Sequence, residues 1–331
     1  MTTRDHTISL LRFLSFCSIV VCHFFQYYGH PLAWWFNLGV QIFLVISGYL
    51  YGQKGIPADP LTFVKKNFAK ILRPYWTVIT LALVVGTATG LILLHPRHIF
   101  EIVFLGNYIP GGEHLWFVSC ILLCYLITPL FARLLSAHAK DKRKLVLHVL
   151  FFCFIIQALS SSTLVPRFNA AWVNCYLLGF TLGYVLKNQL FHREHLAATF
   201  LTLSLGNILQ IYLSYGLHWQ FSERGQWYYL IWCDYNHVFL GLSLFLVLKI
   251  LFEHIHFDRH RWLLKLLTLS DKYSYEAYLV HQFFIFSAFS LMALLPAPWN
   301  MTLVTFLAIP AATIVLHLLD DLRLTLHINK T

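Results

Sequence analysis

Apolar stretches of about 17–25 residues recur along the whole chain, each closed by a short polar segment. A stretch of that length is what an α-helix needs to cross a bilayer. Ten such helices are predicted, at about residues 8–28, 34–51, 75–94, 113–133, 145–160, 170–187, 197–217, 227–249, 273–294 and 300–319. The fold class expected is therefore all-α: a polytopic membrane protein of about ten transmembrane helices, with residues 1–331 as a single transmembrane domain. The first stretch, "LRFLSFCSIVVCHFF", is too long for the apolar core of a cleavable leader. It runs into "FFQYYGH" with no small-residue cleavage site, so it is read as a retained first helix.

Composition strengthens this picture. Hydrophobic residues make up 58% of the chain and charged residues 11%, and the mean hydropathy is +0.65. Soluble domains carry roughly 25% charged residues, so this chain has too few to clothe a water-facing surface. The net charge of +10 would suit nucleic acid, but its distribution points to a membrane instead. Nearly every Lys and Arg falls in alternate loops, from Arg4 through the Lys54–Arg73 and Arg133–Lys144 groups to Arg323 and Lys330. The intervening loops hold only Arg97, Arg167 and Arg224. The positive-inside rule makes the crowded loops, and with them both termini, cytoplasmic. The seven cysteines all lie inside predicted spans. Cys120 and Cys124 share a helix face, but no further Cys or His pair completes a zinc site, so no metal is expected.

The informative residues are the polar ones inside apolar stretches, since an ionisable group in a span costs at least ~2.5 kcal/mol near the middle and usually faces inward for a function. Arg12 and His23 are eleven residues apart. At ~100° and ~1.5 Å per residue they share a helix face and stand ~16 Å apart. A cation near the cytoplasmic end and an imidazole in the outer half suggest an anionic group held below and acid–base chemistry above. On the cytoplasmic side, Ser47 and Gly48 are small enough for a neighbouring helix or a ligand to approach closely. The stretch "FVKKNFAKILRPYW" places Lys65, Lys66, Lys70 and Arg73 within nine residues, suited to anionic headgroups or phosphates. On the outer side, "GGEHLWF" brings Glu113, His114 and Trp116 together, and "WCDYNHVF" brings Asp234 and His237. "YSYEAYLVHQFF" places His281 near mid-membrane, deeper than Glu276.

These stretches, taken in order, resemble acyltransferase family 3, integral-membrane O-acyltransferases that modify surface polysaccharides and other exported acceptors. "LRFLSFCSIVVCHFF" is similar to the family's Arg-x10-His signature, "FLVISGYL" to its Phe-x-x-Ser-Gly-Tyr segment, "HLWFVSCILLCYLITPL" to its His-Leu-Trp-Phe helix and "YSYEAYLVH" to its Ser-Tyr-x-x-Tyr-Leu-x-His helix. The segment ending in Arg73-Pro74 resembles the family's Arg-rich approach to the third helix, although lysines stand here where arginines are usual. Lysine cannot grip phosphate bidentately. The chain resembles the stand-alone members, without an esterase-like domain.

The resemblance implies a bacterial plasma-membrane O-acetyltransferase with no permanently bound cofactor. Its donor substrate would be cytoplasmic acetyl-CoA, and its acceptor a hydroxyl of a surface-glycan sugar or of its lipid-linked precursor. His23 would be the general base, with Asp234 or Glu113 orienting it. Arg12, Ser47, Gly48, Lys66, Lys70, Arg73 and His281 would hold the donor, and His114, Trp116 and His237 the acceptor. Two other classes fit the bare residues: an exporter or flippase for a glycan or lipid, using His23 and Asp234 as a proton relay, and a non-catalytic scaffold for a polysaccharide synthase.

Overall fold

The computed structural model describes residues 5–55, 57–91, 109, 111–160, 170–212, 223–288 and 290–328. Among them there is no strand; helices carry the fold. In chain order they are α1 (His6–Tyr27), α2 (Ala33–Phe36), α3 (Gly39–Lys54), α4 (Pro60–Ala88), α5 (Trp116–Ala137), α6 (Lys142–Ser160), α7 (Ala170–Lys187), α8 (Arg193–Ile211), α9 (Glu223–Phe252), α10 (Arg261–His281), α11 (Phe283–Phe286), α12 (Trp299–Leu303) and α13 (Ile309–Ile328). A 3-10 turn, Glu113–Leu115, leads into α5. A π-helical turn, Val304–Ala308, joins α12 to α13. Four helical runs among the described residues are long and apolar enough to cross a bilayer: His6–Tyr27, Pro60–Ala88, Glu113–Ala137 and Trp299–Leu322.

The ten predicted segments all overlap described helices, but several extents differ; the stretch expected as one helix over 34–51, for example, is split into α2 and α3. The segment expected to begin near residue 75 starts at Pro60, because Asp59 caps the helix by accepting the Leu61 N–H at 3.0 Å and Pro60 sits in the first turn. A side-chain N-cap followed by proline is a strong helix start, and hydropathy alone misses it because the first turns carry lysines. The stretch expected as one helix over 273–294 is instead α10, which begins at Arg261 and ends at His281, followed by the single turn of α11.

The helices fall into two compact units, each assembled from three separate pieces of chain: Met1–Ser15, Leu38–Ala58 and Leu126–His260 in one; Phe16–Asn37, Asp59–Tyr125 and Arg261–Thr331 in the other. The first unit is organised around α3 and α7, whose backbones meet along a glycine seam. A Cβ on Gly48 would stand 2.1 Å from the Tyr176 carbonyl oxygen, one on Gly52 2.1 Å from that of Phe180, and one on Gly183 2.1 Å from that of Tyr49. Gly48/Gly52 and Gly179/Gly183 are both spaced four apart, the small-xxx-small pattern that lets membrane helices pack backbone to backbone. The same unit closes on a polar clasp. Asn174 donates to the Cys153 carbonyl (3.2 Å) and to the Tyr235 hydroxyl (2.6 Å), and Tyr235 donates to Gln157 Oε1 (2.8 Å). The second unit packs α4, α10 and α13 together and carries the histidine cluster described next.

Candidate active site

The last turn of α10 explains the cluster. The final carbonyls of a helix have no partner within it, and here two imidazoles supply one. His281 Nδ1 lies 2.6 Å from the Tyr278 carbonyl oxygen, and His114 Nε2 lies 3.1 Å from that of Leu279. A carbonyl can only accept, so each of these nitrogens carries the proton. The Tyr278 hydroxyl returns a hydrogen bond of 2.6 Å to the His114 carbonyl, pinning the Glu113–Leu115 turn against α10. The remaining nitrogens, His281 Nε2 and His114 Nδ1, are therefore bare lone pairs. Both are buried with no hydrogen-bond partner among the described residues, as is Gln282 Oε1. His281 is fully buried and His114 is 3% exposed. Buried polar atoms are almost always paired in folded proteins, and exceptions mark functional places.

His23 completes the group from α1. Its ring centroid lies 5.1 Å from that of His281, and the His114 and His281 rings are 4.9 Å apart. Phe286 meets the His23 ring edge-on, and Phe16 meets the His281 ring in the same way. His23 Nδ1 is 2.7 Å from Gln26 Oε1, three residues along the same helix. The amide oxygen accepts, so Nδ1 carries the proton and Nε2 the lone pair. In this tautomer the nitrogen available as a base is Nε2.

Glu113 sits beside the cluster as an acceptor-only carboxylate. It takes the Gln282 amide N–H at 2.9 Å and the Gly111 backbone N–H at 3.3 Å. Gly111 makes this possible: its φ is +81°, and a Cβ there would fall 2.5 Å from Ser287 Cβ. Only glycine adopts that backbone without strain and leaves room for the neighbour. No group of three or more His, Cys, Asp or Glu among the described residues has the geometry to hold a metal ion.

The other expected site residues divide clearly. His281, expected with the donor residues, stands beside His23 and His114 instead, because the helix that carries it ends at the cluster. Gly48 has no face left for a ligand where α7 covers it; Ser47 beside it is half-buried. Lys65, Lys66, Lys70 and Arg73 are exposed on the first turns of α4. Trp116 is half-buried and meets Phe117 edge-on. Arg12 is half-buried on α1, and His237 is half-buried on α9. The Asp234 side chain lies outside the described residues. The partner hydrogen-bonded to His23 is thus Gln26, which the sequence reading passed over; the signal available was its i,i+3 spacing from a histidine on one helix. Gln282 was missed in the same way, next to His281.

A family model described as an acyltransferase domain matches residues 5–318. The chain belongs to acyltransferase family 3. Comparison with curated proteins and with solved structures gave no match. Membership, together with the long apolar helices, makes this a helical membrane acyltransferase.

Proposed function

We propose that the protein is an O-acetyltransferase that moves an acetyl group from acetyl-CoA, taken from the cytoplasm, to a sugar hydroxyl of a surface glycan or its lipid-linked precursor, in the plasma membrane of a bacterium. The observation that carries this reading is the His23 tautomer: Gln26 holds the proton on Nδ1 and leaves Nε2 basic, beside two further imidazoles with bare nitrogens. In the step envisaged, His23 Nε2 takes the proton of the acceptor hydroxyl as its oxygen attacks the thioester carbonyl. The carbon–sulfur bond breaks, an ester carbon–oxygen bond forms, and the imidazolium returns the proton to the leaving CoA thiolate. Ten spans with both termini cytoplasmic remain part of the proposal.

The donor's phosphates are assigned to Lys66, Lys70 and Arg73, all exposed on α4. The ~16 Å rise along α1 from Arg12 to His23 then gives the pantetheine arm its path. His114 and His281 face the acceptor. Glu113 acts through Gln282, whose amide it accepts, rather than as a second base.

The test is acetyl-CoA turnover by purified protein in detergent, wild type against His23→Ala, with CoA binding measured in parallel. Binding by both proteins with turnover by the wild type alone is the expected result. A folded wild-type protein that does not bind CoA overturns the proposal and puts an exporter in its place.

A further inference from the structure

The first unit contains a hollow of about 480 Å³, well inside the range of small-molecule sites. Its wall comes from the end of α3, the end of α7 with the loop after it, the start of α8 and the last turns of α9. All of these pieces lie within the one unit. This end of the unit carries Lys187 and Lys249 and is cytoplasmic in the proposed topology.

The polar part of the wall offers hydrogen-bond donors. Tyr49 is 3% exposed. Its hydroxyl accepts from the Gln53 amide at 2.7 Å, and its own O–H has no acceptor among the described residues. A buried donor is normally paired. Arg193 uses Nε on Glu194 at 2.8 Å and Nη1 on Glu253, so its Nη2 has no partner among the described residues. Lys249 is held by Glu253 at 3.1 Å and Asp5 at 3.5 Å. Glu253 is thereby occupied at both oxygens. Lys187 meets no carboxylate within ion-pair distance among the described residues. Cations in the wall outnumber carboxylates, three to two, and Lys142 stands 5.4 Å over the Phe191 ring at its edge.

Gln189 adds to this. It follows α7 at φ +53°, and the turn closes through the Gln189 N–H on the Leu186 carbonyl (3.2 Å) and the Leu190 N–H on that of Val185 (2.9 Å). Glycine takes that left-handed position without strain. Glutamine accepts the strain and puts an amide on the wall of the hollow. A wall of this kind suits an anion rich in acceptor oxygens, and phosphate brings more of them than a carboxylate. The apolar remainder, from Leu186, Phe191, Leu246 and Ile250, suits a carbon skeleton attached to that anion.

We infer that this hollow is a second ligand site, which binds an organic phosphate separately from the donor phosphates assigned to α4. Two sources carry that chemistry: a soluble nucleotide and the headgroup of an anionic phospholipid. The site itself stands apart from the acetyltransferase reading; only its separateness from the donor rests on that reading. For the test, purified full-length protein in detergent is titrated calorimetrically with AMP, with dihexanoyl phosphatidylglycerol and with CoA. Tyr49→Phe and Lys187→Gln each remove one donor from the wall. Lys54→Gln, at the same end of α3 but outside the wall, is the control. Melting temperature checks that each variant folds.

The wild type should bind AMP or the lipid. Each wall variant should weaken that binding by about tenfold or more, the worth of one hydrogen bond to a charged group, with CoA binding and the control unchanged. A response in the AMP titration supports the site and assigns it a soluble phosphate; a response in the lipid titration supports it and assigns a headgroup. Failure of both probes to bind overturns the inference, as does equal binding by wild type and both wall variants. A CoA affinity that falls in step with the probe also overturns it, since the hollow is then the donor's own site. A wild type that binds no CoA, while probe binding falls in the wall variants, defeats the acetyltransferase reading and leaves the phosphate site standing.

Discussion

Along the α3–α7 seam, carbonyl oxygens of one helix come to 2.1 Å from where a side chain would begin on the other; around His23, nitrogens capable of hydrogen bonding lie buried with no partner among the described residues. The seam spends its burial on contact. Its glycines have no polar atom to satisfy beyond their own backbone, and the helices close until nothing else fits. The cluster does the opposite. It uses half of each imidazole to tie down the end of α10 and leaves the other half unsatisfied, at a cost of about 1–3 kcal/mol for each orphaned polar atom. A structure that keeps such a cost where it would be easy to relieve is holding those atoms for something that arrives later.

The comparison can be broken most sharply at His23. His23→Ala should reduce acetyl-CoA turnover by about 10²–10⁴-fold, the usual reach of a general base, while leaving thermal melting in detergent essentially where it was. A matching loss of folded protein would put His23 on the structural side. Gly52→Val should behave in the reverse sense. Its side chain would run into the Phe180 carbonyl, so destabilisation of about 1–3 kcal/mol should appear as a lower melting temperature. Turnover per folded molecule should stay near that of the wild type.

Gln26→Leu sharpens the comparison further. It removes an acceptor worth about 0.5–1.5 kcal/mol, or roughly two- to tenfold in rate. The drop should fall on kcat with KM for acetyl-CoA unchanged, and Gln26→Glu, which still accepts the Nδ1 proton, should recover most of it. Loss of KM alone in Gln26→Leu would remove Gln26 from the positioning of His23.

The smallest effect concerns a charged group in the first unit. Glu253 accepts from Lys249 at 3.1 Å and pairs with Arg193. Burial pushes its carboxyl upward, but the hydrogen bonds from Lys249 and Arg193 outweigh it and hold the carboxyl below its ordinary value. A depressed carboxyl contributes stability that is present above its unfolded-state pKa and lost as pH falls through the lower, folded one. Melting temperature should therefore hold steady from pH 7 to about pH 5 and sag on further acidification. Glu253→Gln should flatten part of that sag; an identical acid profile in the variant would show that this carboxylate is not among the groups responsible.

How much of this could be read without coordinates differs from residue to residue. The positions of the helices follow from runs of apolar side chains, because the cost of leaving a backbone unpaired in hydrocarbon forces such runs into helices. Arg12 and His23 stood out for the related reason that an ionisable group in an apolar run is expensive. His114 and the acidic residue beside it were visible from their clustering. Gln26 and Gln282 were not, since a neutral amide raises no alarm in a sequence and acquires meaning only from what it touches. Gly48 was legible as small but not as to what filled the space beside it.

By itself, then, the order of residues determined the all-helical membrane class, the family and the two residues on the first helix, each being a matter of local spacing and of transfer from water to hydrocarbon. The tertiary structure alone decided that the end of α10 is tied by two imidazoles, and that their protons are thereby placed and their other nitrogens left bare. These depend on contacts between residues far apart in the chain, such as His114 and Leu279, whose meeting no local pattern encodes.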